Sequence, residues 1–146
     1  MTAYESLNRV RNGRYAYERL LSRVEYLTAL SERATPVLSP TPKGSAKLGQ
    51  TDEPWAALAD YRQECKEKLA QYISDCRELE AELECIKSVR VRTAMHFRYV
   101  DLFSVSAIAG YMAMNERNVY KLLKRGRQIY EKHFEEGTLC ERRSIL

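Results

Sequence analysis

Apolar residues recur at three- and four-residue steps along two long stretches in the first part of the chain. The first stretch runs from about Tyr4 to Arg33, and the second is expected to begin with Pro54 at its first helical position and to end near Ile86. The positions that share this spacing are Leu7, Val10, Tyr17, Leu21, Val24, Leu27 and Leu30 in the first stretch, and Trp55, Leu58, Cys65, Leu69, Tyr72, Cys76, Leu79, Leu83 and Ile86 in the second. Such spacing gathers apolar side chains on one helix face, so it predicts two long amphipathic helices.

A segment rich in proline and glycine, residues 34–53, separates the two stretches. Proline lacks the N–H that continues a helix, so a loop is expected there. Each stretch contains about 30 residues, which corresponds to roughly 45 Å of helix. Similar lengths on either side of a loop predict an antiparallel, coiled-coil-like helical hairpin over residues 1–86. Two helices alone bury little surface, so the C-terminal region or a second copy of the chain is expected to cover them.

The pattern of apolar positions over residues 87–134 predicts three further helices. The first covers about Val89 to Val100, Ser104 caps the short second helix, and Asn115 caps the third. The inward positions are Val91, Ala94, Met95 and Tyr99 in the first helix, Ile108, Ala109 and Met112 in the second, Met114 in the corner, and Val119, Leu122/Leu123, Gly126, Ile129/Tyr130 and His133/Phe134 in the third. A short apolar helix, a tight corner and a longer polar helix form a helix-turn-helix pattern.

The expected fold class is therefore all-α, with a long N-terminal helical hairpin followed by a C-terminal helix-turn-helix domain. Residues 135–146 are expected to form a flexible tail. Gly126 is one of the inward positions of the third helix, which we call its inward track. Its place there favours close packing inside one long helix over the end of a helix. Gly110 is expected to let the two helices of the motif approach closely. Ala113 occupies the corner, where such motifs often have a glycine at positive φ.

The outward face of the third helix carries the candidate DNA-binding residues. They are Asn115, Glu116, Arg117, Asn118, Tyr120, Lys121, Lys124, Arg125 and Arg127. Arg117 can pair bidentately with guanine and Asn118 with adenine. Lys124, Arg125 and Arg127 suit the phosphate backbone, where cations set affinity but not sequence preference. The alternative is a solvated charged helix on a bundle that binds no DNA.

The charge is uneven along the chain, although the formal net charge is only +4. Residues 54–86 hold four Lys/Arg and eight Asp/Glu, a net charge of −4. Residues 87–146 hold twelve Lys/Arg and six Asp/Glu, a net charge of +6. Positive charge thus concentrates where a DNA footprint is predicted, because polyanions bind at cationic surfaces.

Several other classes are disfavoured. No apolar run approaches the roughly 20 residues of a membrane helix, and the N-terminus lacks a signal peptide, so we expect a cytoplasmic protein. The four cysteines form no C-x-x-C pair, and His96 and His133 are not at zinc-ligand spacing from them, so no metal or other cofactor is expected. No catalytic constellation is present, which predicts a protein that is not an enzyme.

The segment Leu83 to Arg127 resembles region 4 of the sigma-70 family. The residues that carry the resemblance are Arg98-Tyr99 at the end of one helix, Ser104 opening the next, Ile108-Ala109 within it, and Arg117-Asn118-Val119-Tyr120 at the start of the third. The long first helix, the TPKGS loop and the LEAELE segment together are similar to small sigma-like regulators of phages and prophages, including the late-gene regulator group called ArpU. The resemblance implies a four-helix DNA-binding domain in a bacterial host cell and regulation of phage genes through contact with RNA polymerase.

The leading hypothesis is a sequence-specific DNA-binding transcription regulator whose hairpin forms a homodimer or docks on polymerase. One alternative is a small terminase subunit, which also joins a helix-turn-helix to coiled-coil helices in DNA packaging. Another is a coiled-coil protein-interaction module that binds only protein. The loop at 34–53 is either a plain connection or an arm that uses Lys43 and Lys47 to contact DNA or a partner.

Overall fold

A computed structural model describes the backbone of residues 1–34 and 48–139 and the side chains of residues 1–33 and 55–139. The described part of the chain contains five helices and no strand, which confirms the all-α class. They are α1 (Ala3–Ala34), α2 (Leu48–Leu83), α3 (Val89–Tyr99), α4 (Val105–Met112) and α5 (Glu116–Glu135).

The start of α2 corrects the predicted loop. Residues 48–53 are helical, and Pro54 lies inside α2 instead of at its first position. A proline inside a helix removes one backbone hydrogen bond, and the residues on both sides continue the helix. Residues 35–47, with Lys43 and Lys47 of the proposed arm, lie outside the described residues.

The chain divides into two compact units, and neither begins at the predicted boundary near residue 87. Unit 1 combines Met1–Gly13 with Tyr72–Leu146, and unit 2 is Arg14–Gln71. The first turns of α1 and the last turns of α2 belong to the same core as α3, α4 and α5, because Leu7, Val10, Leu79 and Leu83 are buried in it.

Unit 1 has one apolar core built from all five helices. The buried members on α3 to α5 are Val91, Ala94, Met95, Tyr99, Ile108, Ala109, Val119, Leu123 and Tyr130. Within this unit Arg9 meets Glu82, and Gly13 lies against Tyr72 and Asp75, so the α1 and α2 segments run antiparallel. Burial of this apolar surface is the main favourable contribution to the stability of the unit.

Unit 2 contains α1 from Arg14 to its end and α2 from its start to Gln71. Leu58 and Cys65 are buried, and the Arg23 guanidinium lies 5.8 Å from the ring centroid of Tyr61. Three members of the predicted apolar stripes, Leu30, Trp55 and Leu69, are exposed, which corrects their inward assignment. A pair of helices covers only a narrow strip of each partner, and side chains beside that strip remain in solvent.

One residue of the predicted C-terminal tail packs into unit 1. The flexible tail was expected to begin at residue 135, but Leu139 is buried in the core of unit 1. Gly137 has a φ of 73°, which glycine adopts without a Cβ penalty, and it turns the chain after α5. Residues 140–146 lie outside the described residues.

Candidate nucleic-acid interface

The turn between α4 and α5 is defined by specific backbone hydrogen bonds. The N–H of Met114 donates to the carbonyl of Ala109 at 3.0 Å. Ala113 ends α4 in the left-handed conformation, with φ 52° and ψ 49°. This conformation costs a residue with a Cβ roughly 1–2 kcal/mol relative to the right-handed region. Ala113 therefore occupies a glycine-like position.

Side-chain caps begin both helices of this pair and confirm the predicted caps. The Ser104 hydroxyl accepts a hydrogen bond from the Ala107 N–H at 3.1 Å, and Asn115 Oδ1 accepts one from the Asn118 N–H at 2.8 Å. An N-cap satisfies one of the backbone donors that the first turn leaves open. The backbone N–H of Asn118 therefore already donates its hydrogen bond to the Asn115 side chain.

Helix α5 has one buried face and one exposed face. Val119, Leu123, Gly126 and Tyr130 are buried, in agreement with the predicted inward track. All nine candidate residues from Asn115 to Arg127 are exposed. Side chains at i, i+4, i+7 and i+11 share one face of a helix, so Arg117, Lys121, Lys124 and Gln128 form an outward stripe opposite the buried track. We call these four residues the α5 stripe.

The cations of the α5 stripe have no ion-pair partner in the part of the chain that the structure describes. The same is true of Arg125 on the flank of the stripe. Arg127, on the other flank, donates from Nη1 to the Tyr99 hydroxyl at 3.4 Å. Cations without local counter-charges retain their attraction for a polyanion. The arrangement therefore offers positive charge on an exposed helix face.

The two glycines of the motif differ from each other. A Cβ on Gly126 would collide with the Met95 side chain and lie 3.2 Å from Val91 Cγ1, which confirms close packing there. No atom lies within 4 Å of a Cβ on Gly110. The prediction that Gly110 allows a close helix approach is wrong, because its position faces open space.

A buried polar network holds α5 to α1 and α2 within unit 1. Arg9 Nη1 donates to Ser6 Oγ at 2.7 Å, Ser6 Oγ donates to the Tyr130 hydroxyl at 2.7 Å, and this hydroxyl donates to Glu82 Oε2 at 2.6 Å. Arg9 Nη2 approaches the same Oε2 at 3.1 Å as an ion pair outside hydrogen-bond geometry. Glu82, Ser6 and Tyr130 are fully buried.

This network affects the chemistry of Tyr130. Burial raises the pKa of the Tyr130 hydroxyl above its ordinary value, and the hydrogen bond to Glu82 raises it further. The sequence pattern did not identify the network, although two signals were present. Glu82 lies three residues after Leu79 and next to Leu83, so it falls near the apolar face of α2, and Ser6 lies beside Leu7 on α1.

The two histidines are placed away from any cluster of metal ligands. The ring of His96 lies 3.6 Å from Glu80 Oε1 and 3.4 Å from Asp101 Oδ2, at the surface. His133 Nδ1 lies 2.8 Å from the Thr138 hydroxyl. Among the described residues, no group of His, Cys, Asp and Glu side chains could hold a metal ion. Both histidines thus make local polar contacts.

None of the helices in the described ranges is both long and apolar enough to cross a membrane. Comparisons with protein-family models, with curated proteins and with solved structures found no match to this chain.

Proposed function

We propose that this protein is a sequence-specific, non-enzymatic DNA-binding regulator of transcription, and that α4 and α5 form its helix-turn-helix. The observation that carries the proposal is the α5 stripe, an exposed row with three cations opposite a buried apolar track. A helix of this kind fits the major groove of duplex DNA. The capped turn at Asn115 presents the first residues of α5 at the surface of unit 1.

The roles within the interface follow from side-chain chemistry. Arg117 and Asn118 lie in the first turn of α5 and are suited to read base edges. Lys121 lies one turn further, on the same face. Lys124 and Arg125 are suited to phosphates. Glu116 would oppose a phosphate, so it faces a cytosine amine or solvent in this proposal.

The proposed biological setting is a phage or prophage in a bacterial cytoplasm, which rests on the resemblance to sigma region 4. In this proposal α1 and α2 form a helical hairpin that joins two copies of the chain or contacts RNA polymerase. Exposed apolar side chains in unit 2, at Leu30, Trp55 and Leu69, favour association with another chain. A small terminase subunit would use the same side chains to form a large ring, so the oligomer size measured by light scattering separates the two functions.

The central test measures binding to a fluorescein-labelled duplex recovered by selection from a random-sequence library. The double variant Arg117→Ala/Lys121→Ala is expected to weaken binding about tenfold to 100-fold. The control, Lys66→Ala/Lys68→Ala, removes the same charge from exposed positions of α2 and should change affinity much less. All four side chains are exposed, so circular dichroism should be unchanged for both variants.

Salt dependence provides a second readout. Each phosphate contact that is lost should reduce the slope of log affinity against log salt by about 0.9. The proposal fails if wild-type protein binds no duplex at low salt, or if the control variant loses as much affinity as the α5 variant.

A further inference from the structure

A cleft of about 250 Å³ lies in unit 1 between the start of α1 and the middle of α5. Its lining residues are Ala3, Tyr4 and Leu7 on α1, and Lys124, Arg127, Gln128 and Glu131 on α5. The floor is apolar because Ala3 and Leu7 pack into the core, and the α5 wall is polar. A cleft that combines an apolar floor with cations suits a ligand with both an apolar and an anionic part.

The cations of this cleft outnumber its carboxylate. Lys124 and Arg127 are exposed on the α5 wall, and Glu131 is the one acidic lining residue. Arg127 Nη1 also donates a long hydrogen bond, 3.4 Å, to the hydroxyl of Tyr99. The excess of positive charge therefore favours an anionic group in the cleft.

The cleft is continuous with the α5 stripe. Lys124 belongs to both, and Gln128, the last residue of the stripe, also lines the cleft. A helix in the major groove has the two sugar-phosphate strands along its flanks. The flank of α5 that carries Arg127 faces the first turn of α1, where Tyr4 also lines the cleft.

We infer that this cleft is a second contact with the same DNA duplex and seats a segment of one sugar-phosphate strand beside α5. Lys124 and Arg127 pair with a phosphate, the Tyr4 hydroxyl donates to a phosphate oxygen, and the deoxyribose contacts the apolar floor. The inference rests on the proposed function, and it adds the start of α1 to the DNA-binding surface. It predicts an interface formed by α1 and α5 together.

The decisive variant is Tyr4→Glu, which places a carboxylate at the mouth of the cleft. The matched control is Tyr15→Glu, because Tyr15 is also an exposed tyrosine of α1. The two positions are three helical turns apart, so they share a face and are separated by roughly 16 Å along the axis. Tyr4→Glu is expected to weaken binding to the selected duplex about tenfold and to reduce the salt slope by about one phosphate contact. Tyr15→Glu should change affinity less than about twofold.

A second variant changes affinity in the opposite direction. Glu131→Gln removes the carboxylate that lines the cleft and should tighten duplex binding about threefold, whereas Glu64→Gln makes the same charge change at an exposed position of unit 2, outside the cleft lining, and should not. Inorganic phosphate, added at constant ionic strength, should displace the duplex from the protein only weakly, because the free ion lacks the sugar that contacts the apolar floor of the cleft. Strong competition by phosphate would overturn the assignment to DNA.

The outcomes separate this inference from the proposed function. If Tyr4→Glu and wild type bind the duplex with equal affinity, while binding still depends on Arg117 and Lys121, the cleft contact is overturned. The DNA-binding function is then left intact. Equal losses for Tyr4→Glu and Tyr15→Glu also overturn it, because they reflect only net charge. Absence of binding by wild-type protein overturns both.

Discussion

Substitution of Gly126 by alanine tests the close packing of α5 against α3. The added Cβ would overlap the side chain of Met95 and crowd Val91 Cγ1, and both neighbours are buried with almost no exposed surface. Overpacking of this kind costs about 1–3 kcal/mol. Alanine is favoured over glycine inside a helix by about 1 kcal/mol, which offsets part of this cost. We expect the free energy of unfolding of unit 1 to fall by about 1 kcal/mol.

A double-mutant cycle with Met95→Ala isolates the contact. Met95→Ala alone should cost about 2–5 kcal/mol, because it leaves a cavity. Gly126→Ala added to that variant should stabilise the protein, because the new methyl group enters the vacated space and the helix gains propensity. The coupling energy between the two positions should then be about 2 kcal/mol.

The assay is native-state hydrogen exchange at the amides of α3 and α5, because it reports the stability of unit 1 separately from that of unit 2. Gly110→Ala is the matched control, since no atom lies within 4 Å of the added Cβ and the helix should be stabilised by about 0.5–1 kcal/mol. If Gly126→Ala stabilises the protein as much as Gly110→Ala does, the close approach of α3 and α5 is refuted.

Two further predictions concern backbone strain and pH. Ala113→Gly should raise the free energy of unfolding by about 0.5–1 kcal/mol in urea titrations, because relief of the left-handed strain exceeds the added entropy of the unfolded chain; a loss of stability would contradict the strain. The raised pKa of Tyr130 means that the folded state keeps a proton that an unfolded tyrosine releases above about pH 10. The contribution of Tyr130 to stability is therefore fully present below that pH. Above it, the free energy of unfolding should fall by about 1.4 kcal/mol per pH unit. Tyr130→Phe should lack this component in titrations up to about pH 11, and an unchanged slope would show that another group is responsible.

The local features of this protein were predictable because neighbouring residues produce them. The caps at Ser104 and Asn115, the inward track through Val119 and the exposure of Arg117 follow from helix periodicity and from hydrogen bonds that span three residues. The position of Gly126 on the buried face followed from the same periodicity. These predictions required no knowledge of what the helices pack against.

Features that depend on long-range packing were not predictable. Gly110 looked like a contact point but faces open space, and Leu139 lay in a predicted tail but is buried. The polar network joins Ser6 to Tyr130, which are 124 positions apart in the chain. A periodic pattern indicates which face of a helix is buried, but not which helix covers it.

By itself the sequence determined the helical class, the capped start of α5 and the cationic face of that helix, because short-range hydrogen bonding and periodicity govern them. Only the tertiary structure decided that the ends of α1 and α2 share a core with α3 to α5, and that a cleft lined by Tyr4 and Lys124 opens beside the α5 stripe. Those features arise from contacts between residues far apart in the chain. Such contacts are selected by the shape and burial of the whole unit, and no local pattern encodes them.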